Sequence, residues 1–209
     1  MKIHDILFGS RPKSILKTIE EGNLDELKIF LENVGDVNEK YDDKSLLHLA
    51  IDNCENNYFK VIELLINNGA DINSHQSYLK ETPLHRICAR TKPKIDVVEL
   101  LLDRGAKVNA ENISGKTPVF YCSFSYSVEL LNLLIKYGAD IKHTDKYNNT
   151  LLHYDYLNYN TETFEDFFKV LISLGVNINS KNKEGHTPLY LCQNKDIEDI
   201  LIKYGGKIS

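Results

Sequence analysis

Apolar residues recur along the chain at helical spacing, in short runs that come in twos. In the clearest example Leu84, Ile87 and Cys88 fall on one helical face, and further on Val97, Val98, Leu100, Leu101 and Leu102 make a stripe too broad for a solvent-washed helix. Such a stripe suits a helix sandwiched between neighbours. The starts are marked by Thr82-Pro83 and Thr117-Pro118: a threonine caps the helix, and proline follows at the first helical position, where its missing N–H costs nothing. Gly105, Gly138 and Gly175 stand where a helix end wants a residue at positive φ. No pair of helices buries its own apolar face, so the pairs must stack, with stability close to a sum of nearest-neighbour terms.

The pattern is copied. Gly69-Ala70-Asp71-Ile72-Asn73 returns as Gly105-Ala106-Lys107-Val108-Asn109, Gly138-Ala139-Asp140-Ile141-Lys142 and Gly175-Val176-Asn177-Ile178-Asn179, and ends frayed at Gly205-Gly206-Lys207-Ile208-Ser209. A second phrase keeps phase with it: Ser45-Leu46-Leu47-His48, Thr82-Pro83-Leu84-His85, Thr117-Pro118-Val119-Phe120, Thr150-Leu151-Leu152-His153 and Thr187-Pro188-Leu189-Tyr190. These two phrases resemble the T-P-L-H and G-A-D-V-N signatures of ankyrin repeats, of the small stand-alone type found in bacteria and viruses. The resemblance covers residues 12–209 and leaves 1–11 as an N-terminal segment. It implies an all-α solenoid of about six helix-turn-helix units with hairpin-like finger loops, at about 12–40, 41–75, 76–111, 112–144, 145–181 and 182–209. The first unit, whose opening helix spans Pro12 to Glu20, lacks T-P-L-H and reads as a cap.

The units depart from the family in places. From the histidine position to the glycine the spacing is 21, 20, 18, 22 and 15 residues, so extra residues are expected between helices around Glu55 to Asn57, Thr91 to Lys94 and Tyr159 to Thr163. They read as surface loops, either functional or drifted. Only Lys207 to Ser209 follow the last glycine, so a stack without an appended degron-recruiting box, kinase or channel is expected.

Composition narrows the function. A net charge of -5 argues against a nucleic-acid binder, which would normally be basic. No run approaches the 18 or so apolar residues of a membrane span, and no cleavable leader is visible, so neither membrane nor export is expected. Four cysteines without a C-x-x-C pair fit a reducing cytoplasm.

Candidate chemistry dissolves under inspection. Ser114-Gly115-Lys116-Thr117 imitates a P-loop end, but the required earlier glycine is Ala110 and the stretch leads into T-P. His48, His85 and His153 sit one per unit, where they tie adjacent loops together, whereas metal ligands must converge. Cys88 and Cys122 read as small core residues, and Cys54 as a loop residue open to solvent. No catalytic residue, metal site or cofactor is expected, and the chain does not read as an enzyme.

What remains is a surface. The fingers that lead into the second, third, fourth, fifth and sixth units, numbered accordingly, are 39–44, 74–81, 110–116, 143–149 and 180–186; they carry seven Lys against seven Asp and Glu, which suits a protein partner. The helix-face positions that vary in the family fall here at Asp52, Asn53, Arg90, Phe124 and Asn158, with Tyr78, Lys116 and Tyr147 on fingers and Tyr126 nearby. Tyrosine and arginine dominate interface energetics, so Arg90, Phe124, Tyr126 and Tyr147 are the expected anchors, while Phe120, Tyr121 and Tyr154 are expected to pack between units. The expected function is a monomeric protein-binding module that occludes or sequesters its partner. The resemblance implies a toxin-neutralising, effector or host-response antagonist role. The alternative is a scaffold that bridges two proteins through its concave face and its inserted loops.

Overall fold

The computed structural model describes residues 11–33, 36–76, 78–154 and 164–209. Among these the chain is helical, with an isolated bridge between Tyr41 and Lys44 and no strand. Elements follow in pairs: α1 (Arg11–Glu21) and α2 (Leu24–Asn33), α3 (Leu46–Asn53) and α4 (Tyr58–Asn67), α5 (Pro83–Cys88) and α6 (Ile95–Asp103). Then come a 3-10 segment, Pro118–Phe124, and α7 (Val128–Lys136); a 3-10 turn, Leu151–His153, and α8 (Phe164–Ser173); and α9 (Pro188–Leu191) with α10 (Lys195–Lys203). Each pair packs on the next, and one buried apolar cluster runs from Ile15 to Leu201. No helix among the described residues is long and apolar enough to cross a membrane.

Helix starts and stops obey the sequence chemistry. Ser45, Thr82 and Thr187 accept at their hydroxyls from the backbone N–H of His48, His85 and Tyr190. The repeat glycines from Gly69 to Gly205 all sit at φ between 81 and 92°. The fourth pair differs from expectation, because its first element is 3-10 rather than α. Residues 118–124 are rich in aromatics, which lose rotamer freedom in an α-helix, and Ser123 Oγ donates to the Phe120 carbonyl at 2.8 Å, favouring the tighter turn.

Two polar clamps join successive pairs. The first uses the buried histidines: Nε2 of His48, His85 and His153 lies 3.0, 3.0 and 3.2 Å from the carbonyls of Glu81, Lys116 and His186, each in the following finger. The N–H groups of Thr82 and Thr150 donate to Nδ1 of His85 and His153, which leaves Nε2 as the donor. The second clamp uses the last asparagine of the glycine phrase. Asn38 Nδ2 donates to Gly69 O at 3.1 Å while its Oδ1 accepts from Asp71 N at 2.7 Å. Asn73, Asn109 and Asn179 repeat the pattern on Gly105, Gly138 and Gly205.

Between the fourth and fifth pairs both clamps are missing in kind, because Phe120 replaces the histidine and Lys142 the asparagine. On the opposite side Arg104 pairs with Asn67, Lys136 with Glu99 and Lys203 with Glu165, but no comparable pair joins α7 to α8 among the described residues. Aromatic packing holds this junction instead, together with bonds from His143 Nε2 to Gly115 O at 2.9 Å and from Lys146 N to Ser114 O at 3.0 Å. Phe120 meets Tyr154 at 5.9 Å, and Tyr126 meets Phe167 and Phe168 at 5.5 and 6.3 Å. Lys142→Asn is therefore expected to add two hydrogen bonds, to Gly175 O and Asn177 N, and to stabilise the chain by about 1–2 kcal/mol; urea melts of the variant against the parent measure it.

The insertion at Glu55 to Asn57 has a structural role. Glu55 N–H donates to Glu20 O and Asn57 Nδ2 to Gly22 O, both at 3.0 Å. A Cβ on Gly22 would stand 2.0 Å from the Asn56 carbonyl oxygen, so only glycine permits this approach. Cys54 is buried, not open as expected, and its thiol donates to Asn56 O.

Candidate functional site

The first elements of the second, third and fourth pairs, with the second and third fingers, enclose an open recess lined by Lys44, Asp52, Asn53, Leu79, Glu81, Arg86, Ala89, Arg90, Tyr121 and Phe124. Four of the residues singled out in the sequence, Asp52, Asn53, Arg90 and Phe124, thus come together. Asp52, Asn53 and Arg90 also line a neighbouring recess with Glu20, Glu21, Tyr58 and Lys94.

A charge relay fixes the recess wall. Asp52 receives Lys44 Nζ at 2.7 Å and Arg86 at 2.8 Å, and Arg86 reaches on to Glu81 at 3.4 Å. Glu81 in turn accepts from the Tyr121 hydroxyl, and Tyr121 stacks on Phe124 at 5.9 Å. Burial alone would raise the Asp52 carboxyl, but the hydrogen bonds and charges of Lys44 and Arg86 outweigh it and hold its pKa below the ordinary value. Arg90 donates to the Ile51 carbonyl at 2.7 Å and lies over the Tyr58 ring, yet remains exposed. Arg90 and Phe124 are thus held in place by their neighbours.

The fingers at 110–116, 143–149 and 180–186 are tight turns of one design. Asn112, Asp145 and Asn182 each accept two backbone N–H groups at one side-chain oxygen, and their own N–H groups close on the carbonyls of Lys116, Asn149 and His186. Adjacent tips are bonded to one another: Ile113 N to Leu79 O at 2.8 Å, Lys146 N to Ser114 O at 3.0 Å and Lys183 N to Tyr147 O at 2.9 Å. The tips therefore form a continuous ridge. Tyr78 is 84% exposed and Tyr147 62%. Leu79 and Ile113, which sequence reasoning passed over, are exposed beside them. The signal was an apolar residue inside a turn of this kind, where no neighbour can cover it.

Two other sequence candidates are placed differently. Tyr126 is 1% exposed and sits in the junction core, so it offers no surface to a partner; its φ of 48° turns the chain so that the ring points inward. Lys116 is half-buried, with Nζ 3.6 Å over the Tyr154 ring, and burial lowers its pKa. Asn158, Tyr156 and the 159–163 insertion lie outside the described residues.

The buried thiols and imidazoles are part of the packing. Burial pushes the Cys88 and Cys122 thiols up, away from the thiolate a nucleophile needs, and lowers the pKa of His48, His85 and His153 so that their rings stay neutral. Among the described residues no three His, Cys, Asp or Glu side chains gather as metal ligands do.

A family model described as Ankyrin repeats (3 copies) matches residues 54–145 and 126–209. The chain is 34% identical over 103 residues to BRCA1-associated RING domain protein 1 of Caenorhabditis elegans, covering 49% of this chain and 14% of that protein. It is 32% identical over 111 residues to human Ankyrin repeat and SOCS box protein 6, covering 50% and 25%. It is 33% identical over 134 residues to Ankyrin repeat protein OPG189 of Variola virus, covering 61% and 23%. The similarity thus spans a quarter or less of these relatives.

Proposed function

The chain belongs to the ankyrin-repeat family, and from that premise we propose that it is a monomeric module that binds one partner protein on its finger-bearing face and occludes or sequesters it. The observation that carries this reading is the convergence of Asp52, Asn53, Arg90 and Phe124 on one recess, braced by the ion pairs that run from Lys44 to Glu81. A recess of this shape is open and walled by both charged and apolar side chains, suited to a protruding side chain of a partner rather than to enclosing a small molecule. A toxin-neutralising or host-antagonist role fits occlusion, since a bound stack covers whatever surface it meets.

Affinity capture from the native host followed by titration tests it. Arg90→Ala combined with Phe124→Ala is expected to weaken the captured partner by about 2–4 kcal/mol, as loss of two hot-spot side chains does. Unchanged affinity contradicts the placement. One partner per chain supports occlusion, whereas two bound at once would favour a bridging scaffold.

A further inference from the structure

Over the whole sequence the fingers balance in charge, yet the folded chain does not display them equally. Glu81 and Asp145 are buried and turned inward, where they accept from the hydroxyls of Tyr121 and Tyr154. The second finger then exposes Glu39, Asp42 and Asp43 against Lys40, whose ammonium donates to the His75 carbonyl at 2.9 Å, whereas the third to sixth expose Lys80, Lys146, Lys181 and Lys183 against Glu111 and Glu184. Glu111 and Glu184 each lie beside a histidine of the same ridge, His143 at 3.8 Å and His186 at 3.1 Å. Along this ridge the exposed Tyr78, Leu79, Ile113 and Tyr147 alternate with the lysines, and the bonds from tip to tip fix their order.

We infer that the ridge from the third to the sixth finger is a docking surface for a protein segment that sets carboxylates beside apolar side chains. The inference rests on the protein-binding reading and adds the partner's chemistry. Four large apolar side chains left in water at the ends of rigid turns add nothing to the stack, and covering them is what a partner gains. The lysines among them favour an acidic segment and penalise a basic one, so charge sets the choice while apolar contact sets the strength. Leu79 and Ile113 interrupt the tyrosines, so the ridge lacks the unbroken aromatic platform on which single-stranded nucleic acid stacks.

The test is selection of a random-peptide phage library on the intact chain. Individual clones are then titrated against a ridge variant (Lys146→Glu, Tyr147→Ala, Lys183→Glu) and a recess variant (Arg90→Ala, Phe124→Ala), with circular dichroism confirming that both are folded. The expected peptides are rich in Asp, Glu and large apolar residues; they bind the ridge variant at least about tenfold more weakly, bind the recess variant nearly unchanged, and weaken as salt rises. Basic or uncharged peptides, or clones indifferent to the ridge variant, would overturn the inference, as would failure to enrich any clone. Tighter binding of a single-stranded DNA oligonucleotide than of the selected peptides would overturn it too. Clones lost only in the recess variant would sink the ridge while leaving the protein-binding reading intact.

Discussion

Tyr126→Ala is expected to destabilise the chain by about 3–5 kcal/mol, the range for removing a fully buried aromatic ring from a core that cannot collapse around the gap. The ring stands edge-on to Phe167 and partly stacked on Phe168, so it joins the fourth pair to the fifth. That junction lacks the histidine and asparagine clamps of its neighbours and depends more heavily on aromatic contact. Guanidinium melts followed by helix ellipticity measure the loss. The transition should broaden or split, because the fifth and sixth pairs lose their hold before the rest of the stack. A loss under 1 kcal/mol, or a weakened partner affinity with stability intact, would show that Tyr126 belongs to the surface after all.

His85→Ala is expected to cost about 2–4 kcal/mol at neutral pH. The substitution strands the Thr82 N–H and the Lys116 carbonyl, both otherwise satisfied by the imidazole, and leaves a cavity at a residue with no exposed surface. The effect depends on pH with a definite sign. The folded imidazole has a lowered pKa because burial disfavours its charged form, so the unfolded chain takes up the proton first. Stability from the neutral histidine is complete above the unfolded value near 6.5 and falls as the pH drops below it. His48, His85 and His153 each steepen the acid slope by up to about 1.4 kcal/mol per pH unit until the folded rings themselves protonate. The gap between the parent and His85→Ala should therefore narrow as the pH is lowered from 7 to 5. A gap that widens would mean that the folded ring carries the charge.

How much of this could be read from the sequence depends on what each residue's role requires. The capping threonines, the prolines after them and the helix-ending glycines act locally, so their places were legible. The histidines were legible too, since recurrence in phase with a helix start leaves them few roles. Tyr126 was not, because its fate turns on a shift from α to 3-10 geometry and on one left-handed residue, which periodicity does not encode. The insertion at Glu55 to Asn57 read as a free loop for a similar reason: its docking on Gly22 is a contact across 35 residues. Asp52, Asn53, Arg90 and Phe124 are each legible from their place in a repeat, but the relay from Lys44 to Glu81 that braces the recess appears only when three pairs are stacked. The segregation of charge along the fingers was likewise invisible, because counting residues cannot tell a buried Asp145 from an exposed Lys146.

The most direct measurement of the central claim, that the finger-bearing face is the working part, is backbone hydrogen exchange of the chain free and bound to its captured partner. New protection is expected across the third to fifth fingers and the segments 83–90 and 118–124, with α4, α6 and α7 unchanged. Protection confined to α4, α6 and α7, with the fingers exchanging as in the free chain, would contradict it.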